Sequence, residues 1–145
     1  MWSWNFRTYM EIMGGNDMET KQQQRAAFAL KALEKFREIG VKKEYSQFIV
    51  GMPNMILSNG LGQSLAFLKA KSSKEERNFV FFVLKKYLLE EYKSDFTNVQ
   101  DDFSFLEKIN SVSQSKYIKM QEEVLKMLEW LKRYARAFEQ ADKKE

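Results

Sequence analysis

Met55-Ile-Leu-Ser-Asn-Gly-Leu-Gly-Gln-Ser-Leu-Ala-Phe-Leu68 is the stretch from which the fold is read. It holds two apolar helical pieces joined by Ser58-Asn59-Gly60, with Gly62 and Gln63 just past the joint. Asn and Gly tolerate the left-handed backbone that ends a helix, so Asn59-Gly60 reads as a C-terminal stop. Gly62 then falls in the first turn of the next helix, where propensity alone costs about 0.8–1.0 kcal/mol against Ala. A glycine there lets another backbone or a ligand approach closely, and Gln63 adds a polar head beside the gap. The plainest account is a tight helix–helix corner inside an all-helical domain.

Reading outward supports that class. The whole chain contains one proline, and long stretches carry apolar residues at helical spacing. A first helix opens at Thr20, with Gln23 in capping-box position; it buries Ala26, Ala29, Leu30, Leu33 and Phe36 and ends at Gly40. A second carries Tyr45, Phe48, Ile49 and Met52 on one face until Pro53 breaks or kinks it. A third runs from about Leu61 to Ala70. Ser73 with Glu76 forms another capping box, opening a helix through Phe79, Val80, Val83, Leu84, Tyr87 and Leu88. Its wide apolar arc makes it central. Residues 93–102 form a polar, acidic connector with Asp101 or Asp102 as a cap. A short helix with Phe103, Leu106 and Ile109 follows. The last helix places Tyr117, Met120, Val124, Met127, Leu128, Leu131, Ala135 and Phe138 on one stripe over about six turns.

The expected fold is therefore all-α: a single compact helical bundle of about six helices with a long C-terminal helix. Residues 1–17 stand apart as an N-terminal aromatic arm or extension, with Trp2, Trp4, Phe6 and Tyr9, and residues 18–145 form the helical domain. The arm either docks on its own domain, packs on a neighbouring copy, or is partly disordered; the cost of leaving tryptophans in water favours docking.

Composition narrows the chemistry. A chain of 145 residues is one domain by length and needs no covalent staple to hold a core. There are no cysteines and no histidines. Their absence removes thiolate sites, the usual zinc ligand and the commonest general base. No metal site or cofactor is expected. Carboxylate pairs occur at Glu75-Glu76, Glu90-Glu91, Asp101-Asp102 and Glu122-Glu123. Adjacent helical residues diverge by about 100°, so none converges as an acid/base pair. No Walker loop, dinucleotide fingerprint or EF-hand pattern occurs. An enzyme would need a carboxylate site or a borrowed cofactor. No transmembrane run occurs, the N-terminus is too polar for a signal peptide, and the expected location is cytoplasmic.

The net charge of +4 permits nucleic-acid binding without requiring it. Its distribution says more. Residues 21–43 hold seven cations against two acids, whereas residues 85–102 hold three lysines against five acids. Such polarity suits a subunit tracking a phosphate backbone and equally suits head-to-tail contact between copies; ordinary solvated helix faces also account for it. In the last helix Glu129 and Arg133 are spaced for an i,i+4 ion pair, leaving Lys132 and Arg136 freer to meet a partner. Trp130 flanks the stripe and reads as core packing. Lys116 and Lys119 gain nothing from the dipole at the helix start, a cost that a bound anion would offset.

Several segments together carry a family resemblance. They are Gln24-Arg25-Ala26, the Met55–Leu68 corner, Ser115-Lys116-Tyr117 and Leu128-Glu-Trp-Leu-Lys-Arg-Tyr-Ala135. In this order, over roughly residues 20–140, the chain resembles the small subunit of the type III-B CRISPR effector, the RNA-silencing Cmr complex. The corner is the specific element; residues 1–17 have no counterpart. The resemblance implies a small all-helical subunit without catalytic activity. Several copies stack as a short filament beside the backbone subunits that hold the CRISPR RNA, and together they form the groove for target RNA. Target cleavage belongs to a neighbouring subunit. The implied partners are other Cmr subunits, further copies of the chain, and CRISPR RNA and target RNA in the complex, with no membrane. By carry-over, Arg25, Lys69, Lys71, Lys116, Lys132 and Arg136 are the RNA-binding candidates, with Gln63 as a further one. The competing expectation is a helical protein–protein adaptor without nucleic-acid contact.

Overall fold

The computed structural model describes residues 20–141; the expected aromatic arm, residues 1–17, lies outside them. Among the described residues there are five α-helices: α1 Lys21–Ala32, α2 Lys43–Ala70, α3 Glu75–Glu91, α4 Asp102–Ile109 and the long α5 Gln114–Ala137. Single 3-10 turns at Glu34–Phe36 and Lys93–Phe96 link them. The all-α expectation holds, with five helices in place of about six.

The difference in number lies at the corner. The two pieces around Asn59-Gly60 form one run, α2, with a single non-helical residue: Gly60, at φ 84° and ψ 161°. That region is open essentially to glycine alone, and it differs from the left-handed helical stop that the sequence suggested. Pro53, expected to break or kink the helix, sits inside α2 with the only non-helical backbone at Gly60. Its missing N–H and ring clash cost about 3 kcal/mol. Tyr45, Ile49, Met52 and Ile56 are buried around it, at roughly 1.5–3 kcal/mol for each large side chain, so packing outweighs the local penalty.

The caps follow the sequence in part. Thr20 accepts from the Gln23 N–H at 3.1 Å, and Gln23 Oε1 accepts from the Thr20 N–H at 2.7 Å. Asp101 and Ser104 make the equivalent reciprocal pair at α4, and Ser113 caps α5. The expected Ser73 box does not form. Lys74 is the N-cap of α3 and makes no side-chain cap bond, because the preceding turn, closed by Lys74 N–H to Lys71 C=O at 3.0 Å, carries Ser73 one residue too early. Glu76 pairs with Arg77 instead. Glu75 and Glu76 still favour that helix start through the dipole.

α5 packs against α1 and α2, and α3 packs against α2. The expected stripe of α5 is buried at Met120, Val124, Met127, Leu128, Leu131 and Ala135, whereas Phe138 stays 54% exposed. α3 buries Phe79, Val80, Phe81, Val83, Leu84, Tyr87 and Leu88, as the wide arc required of a central helix. Phe36, Tyr45 and Phe79 meet pairwise at 5.1–5.6 Å between centroids, within the range where edge contacts between rings are favourable.

Two further contacts close the bundle. After Gly40 (φ +87°), Val41 N–H donates to Phe138 C=O and Gln140 N–H to Val41 C=O, both at 2.8 Å. At the corner, the break leaves the first N–H groups of the following half-helix without intrahelical acceptors. Leu61 N–H donates to Gln121 Oε1 at 2.8 Å and Gly62 N–H to Tyr117 Oη at 2.7 Å. A Cβ on Gly62 would lie 3.3 Å from that hydroxyl. The close approach expected at Gly62 is therefore made by a side chain of α5.

One polar cluster ties three helices together. Arg25 of α1 donates to Glu123 of α5 from Nε at 2.6 Å and Nη2 at 3.0 Å. Tyr87 of α3 donates to the same carboxylate at 2.5 Å. Burial pushes the Glu123 carboxyl up, but the hydrogen bonds from Arg25 and Tyr87 outweigh it and hold it below its usual range. Burial and the Glu123 carboxylate both push the Tyr87 phenol up, so it stays a donor.

Three outcomes follow from these contacts. Gly60→Ala forces an alanine into a glycine-only region and lowers unfolding free energy by about 1–3 kcal/mol, read from chemical denaturation. Glu123→Gln lowers it by on the order of 3 kcal/mol at neutral pH, the scale for breaking a buried pair. Because the folded pKa of Glu123 is depressed, its contribution is complete above the unfolded value near about 4.3 and is lost as pH falls through the folded one. The gap between native and variant midpoints therefore narrows in acid; a gap independent of pH would contradict the assignment. Removing residues 1–17 leaves the cooperative thermal transition intact, since α1 carries its own capping box; loss of that transition in calorimetry would place the arm in the core.

Candidate nucleic-acid interface

A phosphate-binding surface needs cations that the protein has not already neutralised. The sequence predicts a basic first half and an acidic stretch elsewhere, but folding gives several charges of each a partner of opposite sign. Lys21 pairs with Glu91, and Arg25 with Glu123. Lys42 lies 3.6 Å from Glu75. The acidic stretch is consumed in the same way, with Asp95 on Lys116 and Asp102 shared between Lys69 and Lys85. Hydrogen bonds from Lys69 and Lys85 hold the Asp102 carboxyl below its ordinary range.

The expected candidates separate on this basis. Arg25 is only 9% exposed, and its guanidinium is committed to Glu123, so in this fold it faces the core. Lys69 donates to Asp102 at 2.7 Å, and Lys116 lies 3.2 Å from Asp95. Lys132 lies 3.1 Å from Glu129, and Arg136 2.9 Å from Glu139. These four remain partly or well exposed, but each has a carboxylate beside it. Lys71, at the C-cap of α2, is exposed with no carboxylate partner among the described residues. Gln63 is exposed just beyond the corner.

The expected pairing in α5 is also revised. Glu129 takes Lys132, at i,i+3, and Arg133 has no ion-pair partner among the described residues. Arg133 lies seven residues beyond Lys126, which lies seven beyond Lys119, so all three fall on the face opposite the buried stripe. All three are exposed, and none has an ion-pair partner among the described residues. At 1.5 Å per residue they span roughly 21 Å. Glu122 shares the face and offsets part of their charge. The signal was present in the sequence as a seven-residue repeat of cations, hidden by the assumption that Arg133 was paired.

Trp130 borders this row. It is half-buried against the core, its indole N–H donates to Gln22 Oε1 at 3.0 Å, and its ring lies 5.9 Å from Tyr134. Core packing, expected from the sequence, accounts for one side of it. The other side lines a shallow hollow of about 290 Å³ with Gln22, Lys126, Glu129 and Arg133. An aromatic face beside a line of cations is the arrangement by which single-stranded nucleic acid is held without base specificity.

Catalytic alternatives find little here. Among the described residues no group of three or more Asp or Glu side chains is placed to hold a metal. Asp101 caps α4, Asp102 holds two lysines, and Glu75, Glu76, Glu91 and Glu123 are each engaged by a neighbouring cation. No described helix is long and apolar enough to cross a membrane.

A family model described as CRISPR-associated protein (Cas_Cmr5) matches residues 21–138, a span that runs from the first residue of α1 to the residue just past α5. It takes in the kinked α2, its Tyr117 and Gln121 partners and the Arg25–Glu123 tie. The chain belongs to the CRISPR-associated Cas_Cmr5 family, the small subunit of the type III-B Cmr complex.

Proposed function

We propose that the chain is a non-catalytic, RNA-contacting subunit of the cytoplasmic Cmr complex, stacking with further copies of itself and adding a basic surface to the groove that holds guide and target RNA. The observation that carries this reading is the row Lys119, Lys126 and Arg133 beside Trp130. It is a line of exposed cations with no carboxylate partner among the described residues, in a fold that neutralises many of its others. Lys71 adds a cation at the end of α2, and Lys69, Lys116, Lys132 and Arg136 are close enough to the surface to exchange a carboxylate for a phosphate. Arg25 has a different part, holding α1 to α5. Cleavage of the target falls to a neighbouring subunit.

The adaptor reading has its own support in the exposed Phe82 and Phe103, 60% and 76% accessible, which suit protein contacts. Salt dependence separates the two. Each phosphate neutralised on a single strand contributes about 0.7 to the log–log slope of affinity against salt. In the assembled complex, replacing Lys119, Lys126 and Arg133 with Ala reduces the slope for target RNA by roughly 2 for each copy in contact, with the complex still assembled. An unchanged slope and affinity would move the RNA interface elsewhere and favour the adaptor.

A further inference from the structure

A hollow of about 450 Å³ lies between α1 and α3. Phe28, Phe82 and Val83 form its apolar lining, and Lys31, Lys35 and Lys86 stand around it. Glu34 and Glu90 share the rim, with Glu34 lying 3.6 Å from Arg37. Lys31 and Lys86 have no carboxylate partner among the described residues, and the Lys35 ammonium lies 4.9 Å from the Phe79 ring centroid. Phe82 stays 60% exposed on an otherwise well-buried helix.

A side chain of the opposite character stands on α4. Phe103 is 76% exposed, the most exposed of the large hydrophobic residues described, while Phe105 two positions on is fully buried. Phe103 therefore points away from the core by the helical period. Glu107, exposed and four residues on, shares that side of the helix, and the exposed N-cap Asp101 stands at the helix start just before it. A single exposed phenylalanine is ordinary. An aromatic knob with an acidic collar is not ordinary when the same chain carries an aromatic-lined hollow with a lysine rim.

We propose that the hollow between α1 and α3 receives Phe103 of a second copy of this chain, with Asp101 and Glu107 of that copy meeting Lys31, Lys35 and Lys86. The assignment rests on the reading of the subunit as one that stacks, and names the surfaces that would do it. Rings entering between Phe28 and Phe82 gain edge contacts, and the lysines gain both carboxylates and a ring face. Knob and hollow are different patches, so a copy that fills one can leave the other open, as an extending stack requires. Neither patch shares a residue with the Lys119–Lys126–Arg133 row, so stacking leaves that row exposed.

The absence of cysteine makes the test direct, since any disulfide reports introduced positions only. Chains carrying Lys31→Cys and chains carrying Phe103→Cys, one of them size-tagged, are mixed and mildly oxidised. The mixed dimer should form in several-fold excess over that from a control mixture with Lys126→Cys in place of Lys31→Cys. Charge reversal at Glu107 (Glu107→Lys) should reduce the cross-link, and Lys86→Glu should restore it. Equal cross-linking with the control overturns the proposal. A cross-link that appears only after residues 1–17 are removed also overturns it, assigning the hollow to the chain's own N-terminal segment. Counting copies in the assembled complex by native mass keeps the two levels apart. Several copies without the cross-link would reject this interface alone, whereas a single copy would reject the stacking reading with it.

Discussion

The hydrogen bonds from Leu61 and Gly62 to Gln121 and Tyr117 are the constraint on which the rest of the bundle depends. Breaking α2 at Gly60 allows its two halves to follow different directions, but it exposes backbone donors at a partly buried position. An unpaired buried donor costs about 1–3 kcal/mol. Tyr117 and Gln121 are four residues apart, hence on one side of α5, and each takes one donor. The bend is thus tied to the position of α5, and α5 in turn carries Glu123, which secures α1 and α3 through Arg25 and Tyr87. The two ties lie on the same helix within two turns. Movement of α5 would disturb the bend and the three-helix cluster together.

This arrangement explains why counting charge along the chain misled. Seven cations in residues 21–43 look like a phosphate-binding face only while the acids that meet them are distant in sequence. Lys21 finds Glu91, and Arg25 finds Glu123, 98 residues away. The exposed pairs are worth little, about 0–1 kcal/mol each, yet they lower the local potential. Lys119, Lys126 and Arg133 have no such partner among the described residues and share one face of a single helix, and their availability can be established only from the folded arrangement. A local rule failed there too: Glu129 was spaced for Arg133 at i,i+4 but lies beside Lys132 at i,i+3.

Helical class, the capping box at Thr20, a cap at the Asp101-Asp102 pair and the buried stripe of α5 were legible because each depends on residues within a few positions of one another. The joint at Asn59-Gly60 was legible for the same reason. Less legible was its consequence, because whether two pieces join as one kinked helix depends on packing from α5. Pro53 shows the same limit: its penalty is local, whereas the burial that outweighs it is tertiary. Ser73 had the right partner spacing for a cap but the wrong place in the turn. At the candidate site, residue types were readable and their availability was not. Arg25 carried the family pattern and belongs to the core; Arg133 was set aside and lies open.

The small number of cations in the α5 row bears on how such a subunit would work. Three cations on one copy, with Glu122 among them, make a weak electrostatic site that physiological salt would largely suppress. On the proposed reading the weakness is tolerable, because a second copy held beside the first meets the same strand at a high effective concentration. Affinity would then grow with the number of aligned rows. A strongly basic surface on each copy would instead bind RNA before assembly and repel its neighbours. A row of only three such cations on α5 is a distribution that suits contact made only once the copies are aligned.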